Sequence, residues 1–153
     1  MLKTIKIDSE HSMKLDNNIG WALIYRSQFG HDILPDVMPM LMAVMDIIGS
    51  IADSADKKDV REALKSIDKD ELEDALIRLA SLEVTTFVNI CWAMAKLADD
   101  DIPEPLEWAR TIPRWPMDII APALFKVLAD GLVSTKNLKK LQTVMAGLKL
   151  NNE

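Results

Sequence analysis

The stretch Leu34–Ala52, LPDVMPMLMAVMDIIGSIA, is the most apolar part of the chain, and its reading decides the fold. Val37, Leu41, Val44, Ile48 and Ile51 recur at spacings of three and four, which is one face of a helix. Met38, Met42, Met45, Ile47 and Ala52 carry the apolar surface most of the way round. A helix with no clear polar side is a bundle core, a membrane span or a surface for another chain. The span is disfavoured, because Asp36 and Asp46 bracket an apolar run shorter than the roughly 20 residues a bilayer requires. Met38, Met40, Met42 and Met45 keep core and partner groove both open, since unbranched thioethers adapt to irregular surfaces. The expectation is a buried central helix, with Met38, Leu41, Met42, Met45 and Ile48 as the candidate partner-binding residues if one side stays open.

Composition around this stretch also favours helix over sheet: there are only five glycines and one tyrosine. At 153 residues, with 49% hydrophobic and 27% charged side chains, the chain is globular and of a size for one domain (1–153) with its own core. Charge is uneven. Residues 1–52 hold 4 bases against 6 acids, residues 53–107 hold 7 against 15, and residues 108–153 hold 7 against 3. The acidic middle argues against nucleic acid as the main partner. Lys136, Lys139, Lys140 and Lys149 suit a solvated face that completes a helix C-terminus, with contact to an acidic protein as the second reading. Cys91 is the single cysteine, which excludes a disulfide within the chain and fits a reducing compartment. The start, MLKTIKIDSEHS, lacks the apolar run of a signal peptide, so a soluble cytoplasmic protein is expected.

Taken in order, LKTIKI and HSMKL flank a polar DSE and predict a short strand or a hairpin within residues 1–15. A hairpin alone is marginal, so it must lie on the helices or pair with another subunit. Residues 16–98 read as the helical core. Asp16 or Asn17 is the expected N-cap of IGWALIYRSQF, Gly30 takes the left-handed position after it, and Asp32 caps the next helix. Pro35 is tolerated in that helix's first turn, Pro39 should bend it, and Gly49-Ser50 should loosen its far end. DSADKK, 53–58, is a polar break. A short helix over 60–67 and an amphipathic helix over KDELEDALIRLASL follow, the latter running on or kinking at EVTT before VNICWAMAKLA. Asp99, Asp100 and Asp101 oppose the helix dipole, so the helix ends before them, and the turn 99–104 is the best internal seam. Beyond it lie a short helix from Pro105 through Trp108, an extended IPRWP joint, a helix from Pro116 to Asp130 ending at Gly131, and a helix capped by Ser134 or Thr135 that reaches Gly147.

Little in the chain converges on chemistry. His11 and His31 lie beside no cysteine or carboxylate at ligand spacing, so no metal site is expected. Cys91, with Phe87, Val88 and Ala95 a turn away, reads as a buried hydrophobe and not as a nucleophile paired with His31. Asp70/Glu71 and Glu73/Asp74 sit in a helix's first turn, where acids suit the dipole. No phosphate loop or nucleophile elbow is present. Trp21 and Trp92 read as core. Trp108 and Trp115 flank a proline-rich joint with Arg110 and Arg114; local packing is the first reading, and Trp108 is a candidate partner anchor as the second. An enzyme, a cofactor and a small-molecule substrate are therefore not expected.

One stretch goes beyond composition. IYRSQFGHDIL, residues 24–34, resembles the Tyr-Arg-x-x-Phe-Gly-x-Asp-Ile signature of tail assembly chaperones of long-tailed bacteriophages and prophages, at Tyr25, Arg26, Phe29, Gly30, Asp32 and Ile33. ICWAMAKLADDDIPEPLEWA, residues 90–109, is similar to that family's later segment, in which a helix runs into an acidic turn and a short helix bearing Glu-Trp. Order and separation agree, although the prolines at 35, 39, 103 and 105 depart from the pattern and the tail after Arg110 carries no motif. The resemblance implies a protein without catalysis that coats the tape measure protein, keeps it soluble and recruits tail-tube subunits in the host cytoplasm. It would then leave before the virion matures, and a longer frameshifted product would share its N-terminus. Read without the family, the motif is a helix–turn–helix corner: Tyr25 and Phe29 share a face, Gly30 reverses the chain, and Arg26 bridges to Asp32 or to the helix end. The Met-rich helix and the N-terminal strand edge are the candidate surfaces, and a homo-oligomer is a further expectation. The rival reading is a helical, dimeric regulator binding protein or DNA.

Overall fold

The computed structural model describes residues 1–54 and 83–150, with side chains over 1–46 and 83–143. Among the described residues the chain is mainly helical, with one two-stranded antiparallel sheet at the N-terminus. Strands β1 (Leu2–Lys6) and β2 (Ser12–Asp16) precede helices α1 (Gly20–Phe29), α2 (Leu34–Ser54), α3 (Val84–Ala98), α4 (Pro105–Arg110), α5 (Met117–Leu132) and α6 (Thr135–Leu150). The residues cluster into two compact units, Met1–Pro35 with Leu82–Leu132 and Asp36–Ser81 with Val133–Glu153. The predicted seam at 99–104 lies inside the first.

The first unit is organised around α3. Six successive residues, Ile90–Ala95, are buried together with Phe87, which requires neighbours on every side of the helix. Those neighbours are α1, β2, α4 and α5. Helix α2, which the sequence reading makes central, belongs to the second unit from Asp36 on; it buries Val37, Met40, Leu41 and Met45 and keeps a solvent side at Pro39, Met42 and Asp46.

The hairpin is closed by register, with Leu2 opposite Asp16 and Lys6 opposite Ser12. Alternation sends Ile5, Met13 and Leu15 inward and leaves Thr4, Lys6, Ser12 and Lys14 outside. In its turn, Asp8 Oδ1 accepts the N–H groups of Glu10 and His11 at 2.8 Å each. The inner face rests on helices, β2 against α3 and β1 against α5, which supplies the support an isolated hairpin lacks.

Several expected boundaries shift for identifiable reasons. Neither Asp16 nor Asn17 caps α1. Asp16 Oδ1 takes the Met1 ammonium at 2.8 Å and the Asn18 N–H at 3.0 Å, and Asn18 Oδ1 accepts the N–H of Gly20 at the helix start. Asn17 is drawn inward because α5 crosses the hairpin exit, and its Nδ2 donates to Val127 O and Asp130 Oδ2, both at 3.1 Å. Lys3 Nζ meets the same carboxylate oxygen at 2.6 Å. Gly131 does not end α5, which continues through Leu132; a Cβ there would lie 2.6 Å from Asn17 O, so this helical position needs glycine for space. Pro39 and Pro122 both sit inside continuous helices, each removing one backbone donor without ending the element. Helix α2 runs past Gly49-Ser50 to Ser54. At EVTT, Glu83 is extended (ψ 147°) and α3 starts at Val84. Ser134 caps α6, accepting Leu138 N–H through its carbonyl at 2.8 Å, and the helix passes Gly147 to reach Leu150. The helices expected over 60–67 and 69–82 lie outside the described residues.

Candidate functional site

The corner at residues 24–34 is built as its side chains demand. Tyr25 and Phe29 pack with ring centroids 4.6 Å apart and planes tilted by 51°, and the His31 ring meets Tyr25 edge-on at 5.5 Å. Gly30 has φ +83° and donates its N–H to Arg26 O at 2.9 Å, closing α1 in the left-handed conformation. Asp32 Oδ1 accepts Leu34 N–H at 3.0 Å and so opens α2. The expected Arg26–Asp32 bridge is absent among the described residues. Arg26 is exposed at the end of α1, and its backbone carbonyl, not its guanidinium, does the joining.

The second stretch meets the first in space. Phe29 packs edge-on against Trp92 at 5.7 Å, and Trp92 Nε1 donates to Pro103 O at 2.8 Å. Lys96 Nζ donates to Asp100 O at 2.6 Å and Ile102 O at 2.8 Å, fastening the turn 99–104 beneath the C-terminus of α3. The cation also lies at the end of the helix where the dipole favours positive charge, although the carbonyls it satisfies belong to the turn and not to α3.

Beside this turn lies the candidate binding site, a groove of about 660 Å³. One wall is Glu10–Lys14 of the hairpin with Leu2; the other is the end of α3 (Ala95, Ala98, Asp99) with Ile102, Trp108, Thr111 and Ile112. Trp108 is 6% exposed and packs edge-on against Trp115 at 5.7 Å. It therefore does not project as a free interface anchor; it is part of the groove lining. Sequence reasoning missed the groove, because its two walls are some 80 residues or more apart along the chain and only the alternation in SMKLD marked one of them.

The Met-rich candidates separate. Leu41 and Met45 are buried, at 0% and 4% exposure, Met38 is half-buried, and Met42 is exposed. Helical spacing thus turns Leu41 and Met45 into core, and they are not lining of an open groove. Ile48 lies outside the residues with described side chains.

The pairing of Cys91 with His31 is not assembled. Cys91 is fully enclosed, and burial pushes its thiol up to about 12, while His31 is exposed. His11 Nδ1 does meet a carboxylate, Asp8 Oδ1 at 3.0 Å, a pairing the sequence reading did not expect. Backbone N–H donation from Glu10 and the His11 ring hold that carboxyl below its usual range. Among the described residues no group of three or more His, Cys, Asp or Glu is placed to hold a metal ion, and no helix is long and apolar enough to cross a membrane. Asp70/Glu71 and Glu73/Asp74 fall outside the described residues. Comparison with protein-family models, curated proteins and solved structures finds no match to this chain.

Proposed function

We propose that this chain is a tail assembly chaperone of a long-tailed bacteriophage or prophage. In this reading it works without catalysis: it binds the tape measure protein, keeps that protein's apolar helices soluble and recruits tail-tube subunits in the host cytoplasm. The observation that carries the reading is the contact between the two stretches that resemble the family. Phe29 lies against Trp92, and Trp92 holds the turn that leads to Glu107-Trp108. Two motifs remote in sequence that specify one packed corner are more informative together than apart. An open groove in the same unit, walled by the hairpin and the end of α3, suits a protein that binds other chains.

The test is co-expression with the tape measure protein encoded in the same genome, followed by affinity purification. The expected result is co-elution, with the tape measure protein soluble only in this chain's presence. A tape measure protein that stays insoluble, with nothing co-eluting, would overturn the assignment. Retention on heparin at physiological salt would favour a regulator that binds DNA, because phosphate affinity requires basic surface.

A further inference from the structure

Backbone hydrogen bonding alternates along each strand of the hairpin. Ile7 N–H donates to His11 O at 3.0 Å and Asn17 N–H to Met1 O at 3.3 Å, so Met1, Lys3, Ile5 and Ile7 turn their backbone groups towards the second strand. The N–H and C=O groups of Leu2, Thr4 and Lys6 therefore point the other way, along the outer edge of β1. Among the described residues the sheet has no strand beyond that edge, and Leu2, Thr4 and Lys6 are all exposed. Such an edge is a template for pairing unless charges guard it, above all charges that point inward. The inward charge here, Lys3, is already neutralised by Asp130 at 2.6 Å. Lys6 lies on the outer face, where its stem can cover a neighbour while its ammonium stays in water.

We infer that β1 pairs with β1 of a second copy of this chain, antiparallel about Thr4, so that two hairpins form one four-stranded sheet. A two-fold axis through the Thr4 pair sets Leu2 opposite Lys6 of the second copy, Thr4 opposite Thr4, and Lys3 opposite Ile5. The outward backbone groups of Leu2, Thr4 and Lys6 then satisfy one another. A threonine pair across strands is favourable, and no like charges stand directly opposite. The nearest like pair, Lys3 with its own copy, is diagonal, and each carries its Asp130 partner.

The other edge is a poorer match. The outward groups of β2 belong to Ser12, Lys14 and Asp16, and pairing β2 with itself about Lys14 would set two ammonium groups opposite each other. Joining β1 to β2 of another copy is head-to-tail and leaves a free edge at both ends, so it does not close. The β1 pairing also separates the helices. Helix α5 meets the hairpin at its open end, where Asp130 holds Lys3 and Asn17 and Val127 O takes the Asn17 amide. The two-fold axis places that end of one strand beside the far end of the other, so the two α5 helices approach the shared sheet about 13 Å apart along the strands. This inference concerns self-association and stands apart from the phage assignment.

One strand pair is smaller than a standard interface, so the dimer should be weak, with a dissociation constant between about 10 µM and 1 mM. Sedimentation equilibrium from about 10 µM to 2 mM should show the average mass rising from monomer towards dimer. Over the same range the Thr4 and Lys6 amides should become protected from exchange, while those of Ser12 and Lys14 should not. Thr4→Pro removes an N–H that the hairpin itself does not use, so the ladder amides of Ile5 and Met13 should stay protected while dimerisation weakens roughly tenfold or more. Thr4→Asp, which sets two carboxylates opposite each other, should do the same without proline. Lys14→Pro, on the other edge, should leave the dimer intact. A strict monomer throughout, an undiminished dimer in both Thr4 variants, or protection at Ser12 and Lys14 in place of Thr4 and Lys6 overturns the inference. None of these outcomes depends on tape measure co-elution, so either proposal can fail while the other stands.

Discussion

Replacing Gly131 with alanine should destabilise the protein, although alanine is the better helix former. In an open helix interior the change would stabilise by roughly 0.5–1 kcal/mol. Here the added Cβ would sit 2.6 Å from Asn17 O and 3.4 Å from the Asn17 side-chain carbon and nitrogen. The first contact is with backbone, so α5 or the hairpin exit must move by several tenths of an ångström. Overpacking of that kind costs about 1–3 kcal/mol. The displacement also strains the two 3.1 Å bonds from Asn17 to Val127 O and Asp130, and a buried amide left unpaired costs about 1–3 kcal/mol. The costs outweigh the propensity gain and leave a net loss of about 2 kcal/mol. That corresponds to roughly 4–8 °C in melting temperature at this chain length. Urea unfolding followed by tryptophan fluorescence reads the first unit directly, since Trp21, Trp92, Trp108 and Trp115 all lie in it. An unchanged or raised midpoint would refute the close approach of α5 to Asn17.

Three further outcomes are expected. Cys91, enclosed and with its thiol raised to about 12, should resist aromatic disulfide reagents at pH 8 and react only in denaturant; stoichiometric labelling of the native protein within minutes would contradict its burial. The Asp130 carboxyl is held below its usual 3.8 chiefly by Lys3 and also by Asn17, so its stabilisation is complete above that value and is lost as pH falls through the lower folded value. Stability should accordingly decline in acid below about pH 4, and Asp130→Asn should flatten that decline; an identical acid limb in the variant would remove Asp130 as its cause. Trp92→Phe deletes the donor to Pro103 O while keeping an aromatic ring against Phe29, and should cost about 1 kcal/mol with faster amide exchange around 99–104. Unaltered exchange there would show that Lys96 alone fastens the turn.

What the sequence disclosed and what it hid divide along local and non-local lines. The corner at Tyr25–Asp32 was legible because each part acts within a few residues: the aromatic pair at i, i+4, the left-handed glycine and the aspartate cap. The end of α3 before Asp99 was legible for the same reason, since carboxylates disfavour a helix C-terminus. Asn17 misled because a residue that makes a good cap also makes a good buried donor, and only α5, more than a hundred residues later, decides between the two uses. The organising role of α3 in the first unit was hidden similarly. The Leu34–Ala52 stretch and α3 are comparably apolar, and nothing in periodicity alone reveals that β2 and α1 both pack on the second. The groove was invisible because it is defined by the separation of two walls and not by any residue pattern.

The acidic turn shows how a local solution shapes the candidate site. Three aspartates in succession after a helix present a repulsive cluster beside the negative end of the helix dipole, and a lysine one turn back would ordinarily neutralise it by pairing with a carboxylate. Lys96 instead donates to the carbonyls of Asp100 and Ile102, while Asp99 Oδ1 accepts the Asp101 N–H at 2.9 Å. The backbone is thereby fixed through its own acceptors, and the carboxylates of Asp99, Asp100 and Asp101 remain exposed. Trp92 fixes the turn's next residue, Pro103, from the interior. The arrangement stabilises the turn without cancelling its charge, and of the three carboxylates only that of Asp99 stands on the groove, whose lining also carries Glu10, His11 and Lys14.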